Sequence, residues 1–174
     1  MAFQTVMSAN VVVGKKRNTE STILALPGPI AILGVAGIYD IRLLRDKHRD
    51  VSAYQDFIEA AFGPEEAGLW DAASPACVKG DNGVERCWEG GRLAVLARSS
   101  DDELVDASQG EAMGVTLTRW AQNVALGEGV PKRFLTLSLQ GNHDDAWKNG
   151  DELTRAIAFT LDELQKMERG SQSS

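Results

Sequence analysis

The sequence predicts an α/β fold of about three parallel strands with flanking helices. Short, continuous apolar runs fall at 30–37, 93–97 and 134–139, and helical periodicity fills the segments between and after them. Composition agrees: the chain has 174 residues, of which 43% are hydrophobic and 25% charged, as in an ordinary globular domain. Strand, helical excursion, strand, helix, strand, helix is the order of a parallel layer. Three strands are few for a free-standing sheet of this kind.

The chain opens on Ala2–Asn10, where Phe3, Val6 and Met7 share one helical face but no capping residue precedes them. The polar, basic stretch 14–22 (GKKRNTEST) reads as surface loop, within a loop insertion expected over about 14–28. Ile30 to Gly37 follows Pro27 and Pro29 and suits a strand buried on both faces. Tyr54, Phe57, Ile58 and Ala61 form a stripe over 52–62, closed by Gly63-Pro64. Leu93 to Ala97 is the second strand. Over 106–125, Met113, Leu117, Trp120 and Val124 recur at helical spacing, and Gly127, Gly129 and Pro131 follow. Phe134 to Leu139 alternates, which suits a strand near an edge. Residues 151–168 place Leu153, Ile157, Leu161 and Leu164 on one stripe, opening on Asp151-Glu152 at the positive end of the helix dipole. Residues 1–169 are then one domain, and 170–174 (GSQSS) a disordered tail.

Charge and composition exclude several roles. Eighteen basic against 25 acidic residues leave a net charge of −7, with a pI near 4.9. No nucleic-acid partner is expected of such a surface. No apolar run reaches the roughly 18 residues that cross a bilayer, so no membrane partner is expected either. Two cysteines and two histidines are too few for a zinc ribbon or a disulfide framework. Cys77 and Cys87 flank a turn-rich stretch; with no secretory leader in the sequence they read as reduced thiols of a cytoplasmic protein.

Functional groups in open α/β sheets collect past the carboxyl ends of strands. After the second strand stands Arg98-Ser99-Ser100-Asp101-Asp102-Glu103-Leu104-Val105-Asp106, and after the third Gln140-Gly141-Asn142-His143-Asp144-Asp145. An acid on one tip and a histidine on the next can pair, fixing the imidazole tautomer and leaving the other nitrogen as a general base. The same residues have plainer uses: Asp101, Asp102 and Asp106 all precede a helix and serve equally as caps, and His143 as a solvated loop residue. His48, among Arg45, Asp46, Lys47, Arg49 and Asp50, reads as solvent-facing. Asp144 and Asp145 beside His143 do not amount to a metal-ligand set, and no metal is expected. The chain contains no G-x-S-x-G, no G-x-x-x-x-G-K-[ST] and no G-x-G-x-x-G.

Longer stretches carry a specific resemblance. Gly37-Ile38-Tyr39-Asp40-Ile41-Arg42-Leu43-Leu44, Ala53-Tyr54-Gln55-Asp56-Phe57-Ile58-Glu59-Ala60-Ala61-Phe62-Gly63 and Leu69-Trp70-Asp71-Ala72-Ala73-Ser74-Pro75-Ala76, with Ser100 to Val105 and Gly141 to Asp145, resemble fungal kynurenine formamidases (arylformamidases). These are an esterase/lipase-type branch of the α/β-hydrolases. The likeness covers most of residues 30 to 165, and its middle, the substrate-facing excursion, is the discriminating part. It implies Asp102 as triad acid, with Asp101 as the fallback one residue away, and His143 as triad base. It implies hydrolysis of N-formyl-L-kynurenine to L-kynurenine and formate in tryptophan catabolism, by a serine nucleophile and without a metal or organic cofactor. Tyr39 and Trp70 are candidates for walls of an aromatic pocket and equally for packing residues, as is Trp147.

The sequence also departs from that pattern. It has neither the upstream His-Gly-Gly loop nor the serine elbow, and Met1-Ala2-Phe3-Gln4 resembles the helix that follows the serine. The expectation is therefore a C-terminal portion of an α/β-hydrolase fold, lacking the nucleophile and inactive alone. The open apolar edge of the strand at 30–36 is an expected site of self-association. Two alternatives stay open: another carboxylesterase or amidase of the superfamily, and an inactive remnant acting as an interaction module.

Overall fold

The computed structural model describes residues 2–7, 28–65, 68–123 and 131–172. Apolar runs without polar alternation pair as three parallel strands, β1 (Ala31–Val35), β2 (Leu93–Ser99) and β3 (Arg133–Leu139), in the order β1-β2-β3. The middle strand is buried along nearly its whole length, whereas β3 alternates and lies at an edge. The register sets Val35 beside Ala97 and Ser99 beside Leu139, so the carboxyl ends of all three strands open on the same side.

Three short helices, α1 (Ile41–Lys47), α2 (Ser52–Phe62) and α3 (Leu69–Ala73), follow β1, and α4 (Val84–Cys87) leads into β2. Only α2 was legible as a periodic stripe; the others span two turns or fewer and offer too little repeat to read. Asp40 caps α1, its carboxylate accepting from the Leu43 N–H at 2.9 Å. The helix α5 (Ala107–Gln122) joins β2 to β3 and buries Met113, Leu117 and Trp120 completely. Val124, Gly127 and Gly129, read as the end of that segment, lie outside the described residues. A short α6 (Asp145–Lys148) and the long α7 (Asp151–Gln172) follow β3. At the start of the chain, Ala2–Val6 form a 3₁₀ turn, and Phe3, Val6 and Met7 bury as one face. Residues 8–10 and the loop insertion up to residue 27 are outside the described part.

The sheet is covered on both sides. One side packs Ile32, Ala94 and Leu96 against Phe3, Trp88, Met113, Leu117 and Trp120. The other packs Leu93, Val95 and Ala97 against α7 through Ala156 and Met167. Gly34 on β1 is needed for close approach: a Cβ there would collide with the Tyr39 hydroxyl, which burial holds above the usual phenol range. Both cysteines are free, and burial first, with the Asp40 charge second, pushes the Cys77 thiol up to about 12.

The face of α7 differs from the predicted stripe. Ile157 and Leu161 are 45% and 54% exposed, and the buried positions are Ala156, Thr160, Glu163 and Met167. Ala156 lets the helix approach Ala97 and Leu139, and the polar members of the buried face are satisfied in place. Thr160 Oγ1 donates to the Ala156 carbonyl at 2.8 Å, and Glu163 pairs with Arg133 at 3.0 Å. A hydrophobicity pattern cannot register a face built this way. The helix also runs to Gln172, so Gly170 to Gln172 are helical where a disordered tail was expected.

One buried side chain organises the turn after β1. Gln109 on α5 is fully buried; its Oε1 accepts from the Tyr39 and Asp40 N–H groups at 2.8 Å each, and its Nε2 donates to the Asp40 carbonyl at 2.9 Å. Replacing it by leucine leaves the Tyr39 and Asp40 N–H groups without a partner, while the Asp40 carbonyl keeps the Leu44 N–H at 3.1 Å. Gln109→Leu is expected to lower unfolding free energy by roughly 2–4 kcal/mol in urea titration. A loss within ~0.5 kcal/mol, the usual range of a neutral surface change, would mean the turn is held elsewhere.

Candidate active site

The carboxyl ends of β2 and β3 each release a short loop, and the two loops are tied together before their functional residues appear. Ser99, the last residue of β2, donates from its hydroxyl to the Gly141 carbonyl at 2.5 Å and accepts from the Asp101 N–H at 3.0 Å. Gly141 adopts a positive φ of 83°, and a Cβ there would run into Asp145. Asn142 then accepts from the Asp144 and Asp145 N–H groups at 3.1 and 3.2 Å, while Asp145 accepts from the Asn142 N–H. This closed turn holds His143 at its apex.

On the facing loop Asp102 is the buried acid, its side chain only 2% exposed. Its Oδ1 accepts from the Leu104 and Val105 N–H groups at 3.0 and 2.8 Å. His143 Nδ1 lies 3.1 Å from Asp102 Oδ1 and 2.9 Å from Oδ2. A carboxylate only accepts, so the shared proton sits on Nδ1 and the neutral imidazole keeps its lone pair on Nε2. Glu103 accepts from the His143 N–H at 3.3 Å and steadies the same loop. The sequence left Asp102 and, as fallback, Asp101 in contention beside the cap candidate Asp106, and the three sit differently in the structure. Asp106 caps α5 through the Ser108 N–H at 2.8 Å, Asp101 is exposed, and Asp102 reaches the imidazole.

Beside His143 opens a cavity of about 580 Å³. Its walls are Ala36 and Ile38 after β1, Ile41 and Leu44 on α1, Tyr54, Phe57, Ile58 and Phe62 on α2, and Leu104 and Val105 from the acid loop. Tyr54, Phe57 and Ile58 of the predicted stripe on α2 thus line the cavity, with only Ile58 fully buried and Phe57 left 45% exposed, while Ala61 is exposed and lies off it. Ala36 has a positive φ of 44°, a left-handed conformation unusual for a residue with a side chain, where β1 turns into the cavity wall.

The other aromatic expectations resolve differently. Trp70 is fully buried in the cluster of Ile41, Leu44 and Ile58, and Tyr39 packs edge-on against Phe3; neither lines this cavity. Trp147 is half-exposed and also lies off it. His48 does not face solvent: its ring stacks on Tyr54 at 4.1 Å, and its Nε2 stands 3.8 Å from Asp106 Oδ2, beyond hydrogen-bond reach. Burial raises the Asp106 carboxyl, but the Ser108 side chain and N–H, with Lys47 and His48, outweigh it and hold the group below its usual range. The Tyr54 hydroxyl donates to the Leu104 carbonyl at 2.9 Å, tying α2 to the acid loop. Burial first, then the charges of Asp102, Glu103 and Asp106, raise this phenol, so it stays a donor. Gln4, from the N-terminal turn, also reaches the cavity and donates to the Ala73 carbonyl at 2.7 Å. Gln4 and Phe62 were not singled out from the sequence; the signal for Phe62 was the large apolar residues of α2 inside the substrate-facing excursion.

Among the described residues no group of three or more His, Cys, Asp or Glu side chains is placed to hold a metal ion, and no helix is long and apolar enough to cross a membrane. An acid–imidazole pair opening on an apolar cavity can accept a proton from a hydroxyl or water and return it to a leaving group.

Comparison with known proteins finds two fungal relatives. The chain is 40% identical over 139 residues to a kynurenine formamidase-like hydrolase of Fusarium equiseti, covering 80% of this chain and 43% of the relative. It is 34% identical to a kynurenine formamidase of Aspergillus versicolor, covering 72% of this chain and 46% of the relative. The chain thus spans a little under half the length of the curated relatives it matches. No family model matches the sequence, and no solved structure matches it.

Proposed function

We propose that this chain, a homologue of fungal kynurenine formamidases, supplies the acid–base pair and the aromatic pocket of a serine-type arylformamidase. The observation that carries the reading is the two-point contact of Asp102 with His143 Nδ1, at 2.9 and 3.1 Å, on the rim of an apolar cavity. In this reading the substrate is an N-formylated aromatic amine of the N-formyl-L-kynurenine type. His143 Nε2 takes the proton of a serine hydroxyl as the oxygen attacks the formyl carbonyl. The imidazolium, stabilised by Asp102, then protonates the aryl amine as the carbon–nitrogen bond breaks. Water repeats the sequence on the formyl ester and releases formate.

The serine is the missing part in this sequence, which holds no G-x-S-x-G. The 174-residue chain is therefore expected to show no formamidase turnover above background. The test is a chimera in which the matched region of the Fusarium relative is replaced by this chain's residues. The chimera is expected to release formate from N-formyl-L-kynurenine, within about tenfold of the parent. A folded chimera that retains esterase activity but does not deformylate points to the broader carboxylesterase reading. A folded chimera with neither activity overturns the proposal.

A further inference from the structure

Tyr54 belongs to the cavity and to the acid loop at once. Its ring is part of the cavity wall and stacks on His48, the residue that ends α1, with centroids 4.1 Å apart and planes within 4°. Its hydroxyl donates to the Leu104 carbonyl at 2.9 Å. That carbonyl and the Val105 N–H belong to one peptide unit, planar and trans, so they point in opposite directions from a rigid plate. The Val105 N–H donates to Asp102 Oδ1 at 2.8 Å, and Oδ1 lies 3.1 Å from His143 Nδ1. A continuous run of hydrogen bonds thus leads from the phenol, through a single peptide, to the acid and its imidazole.

The direction of these bonds matters. Phenol donates to carbonyl and N–H to carboxylate, so each bond polarises the next and strengthens the hold on Oδ1. Stacking on His48 fixes the Tyr54 ring laterally, and with it the hydroxyl oxygen. Side-chain packing does less for the loop, since Glu103 is exposed and Leu104 is 42% exposed. Its shape rests on main-chain hydrogen bonds, and Tyr54 supplies one from outside the loop.

Building on the formamidase reading above, we infer that Tyr54 is a positioning residue of the acid–base pair, its hydroxyl acting through the Leu104–Val105 peptide to hold Asp102 against His143. One side chain then both borders the ligand and sets the acid.

Tyr54→Phe separates these roles, because it keeps the ring and the stack and removes only the hydroxyl. In the full 174-residue chain, NMR of the imidazole nitrogens in alkaline solution reads the His143 tautomer. The parent is expected to hold the Nδ1–H form, and Tyr54→Phe to raise the Nε2–H share several-fold. The His48 ring protons, shifted by the stacked ring, are expected to stay in place and show that α2 has not moved. In the chimera, Tyr54→Phe is expected to lower kcat about tenfold, the worth of one hydrogen bond, with KM within about twofold. Introduced beside Asp102→Asn, it is expected to cost less than about twofold, because the hydroxyl acts through the carboxylate. A tautomer ratio unmoved by Tyr54→Phe, a rise in KM at constant kcat, or the same factor in both backgrounds overturns the positioning role while the formamidase reading stands. A folded chimera without activity overturns that reading alone, since the tautomer is measured in the chain itself.

Discussion

Asp102→Asn, introduced into the active chimera, is expected to lower kcat by roughly 10⁴-fold with little change in KM. The reason lies in the donors around the carboxylate. Leu104 and Val105 both present N–H groups to Oδ1, so an asparagine must keep its carbonyl oxygen there and turn its amide nitrogen toward His143. That nitrogen donates, so His143 Nδ1 has to accept, and the ring proton moves to Nε2. The imidazole then faces the nucleophile with a donor where the mechanism requires a lone pair. His143→Ala removes the base outright and is expected to cost about 10⁶-fold. Steady-state formate release, with near-ultraviolet circular dichroism as a control for folding, measures both. A loss of less than tenfold from Asp102→Asn would mean that the pair is structural.

The largest expected effect on stability is at Trp120. This side chain is fully buried and stacks on Trp88 at 4.5 Å with the planes 12° apart. Its Nε1 donates to the Trp88 carbonyl at 2.9 Å, and Lys132 Nζ sits 5.3 Å from the ring centroid. Truncation to alanine removes the ring from the centre of the largest core cluster and leaves the Trp88 carbonyl short of a donor. Trp120→Ala is expected to cost about 3–5 kcal/mol, a third or more of the stability of a typical domain. Urea unfolding followed by tryptophan fluorescence reads it, and a loss under ~1 kcal/mol would show that Trp88 and Met113 close the gap.

The strands were legible because a segment buried on both faces needs no polar alternation, and the runs at 30–37, 93–97 and 134–139 have that character. The meeting of Asp102 and His143 followed from the same source: parallel strands place their exits side by side, and both residues stand a few positions past an exit. Three features were harder to read. On α7 the buried face is made of Ala156, Thr160, Glu163 and Met167, whose polar atoms find partners only in three dimensions. The stripe on α2 was visible, but periodicity cannot tell a face turned to a core from one turned to a cavity. Around His48 five charged neighbours in sequence implied solvent, whereas Tyr54, from the next helix, covers the ring.

The geometry of the Asp102–His143 pair depends on long-range closure of the chain. Asp102 and His143 are separated by 41 positions, and the latch from Ser99 to Gly141 that aligns their loops spans 42. Neither contact exists until α5 has docked and β3 has zipped onto β2, so a nascent or partly melted chain carries both residues and no dyad. Formation of the pair is therefore coupled to closure of the β2–α5–β3 crossover rather than to the presence of its helices.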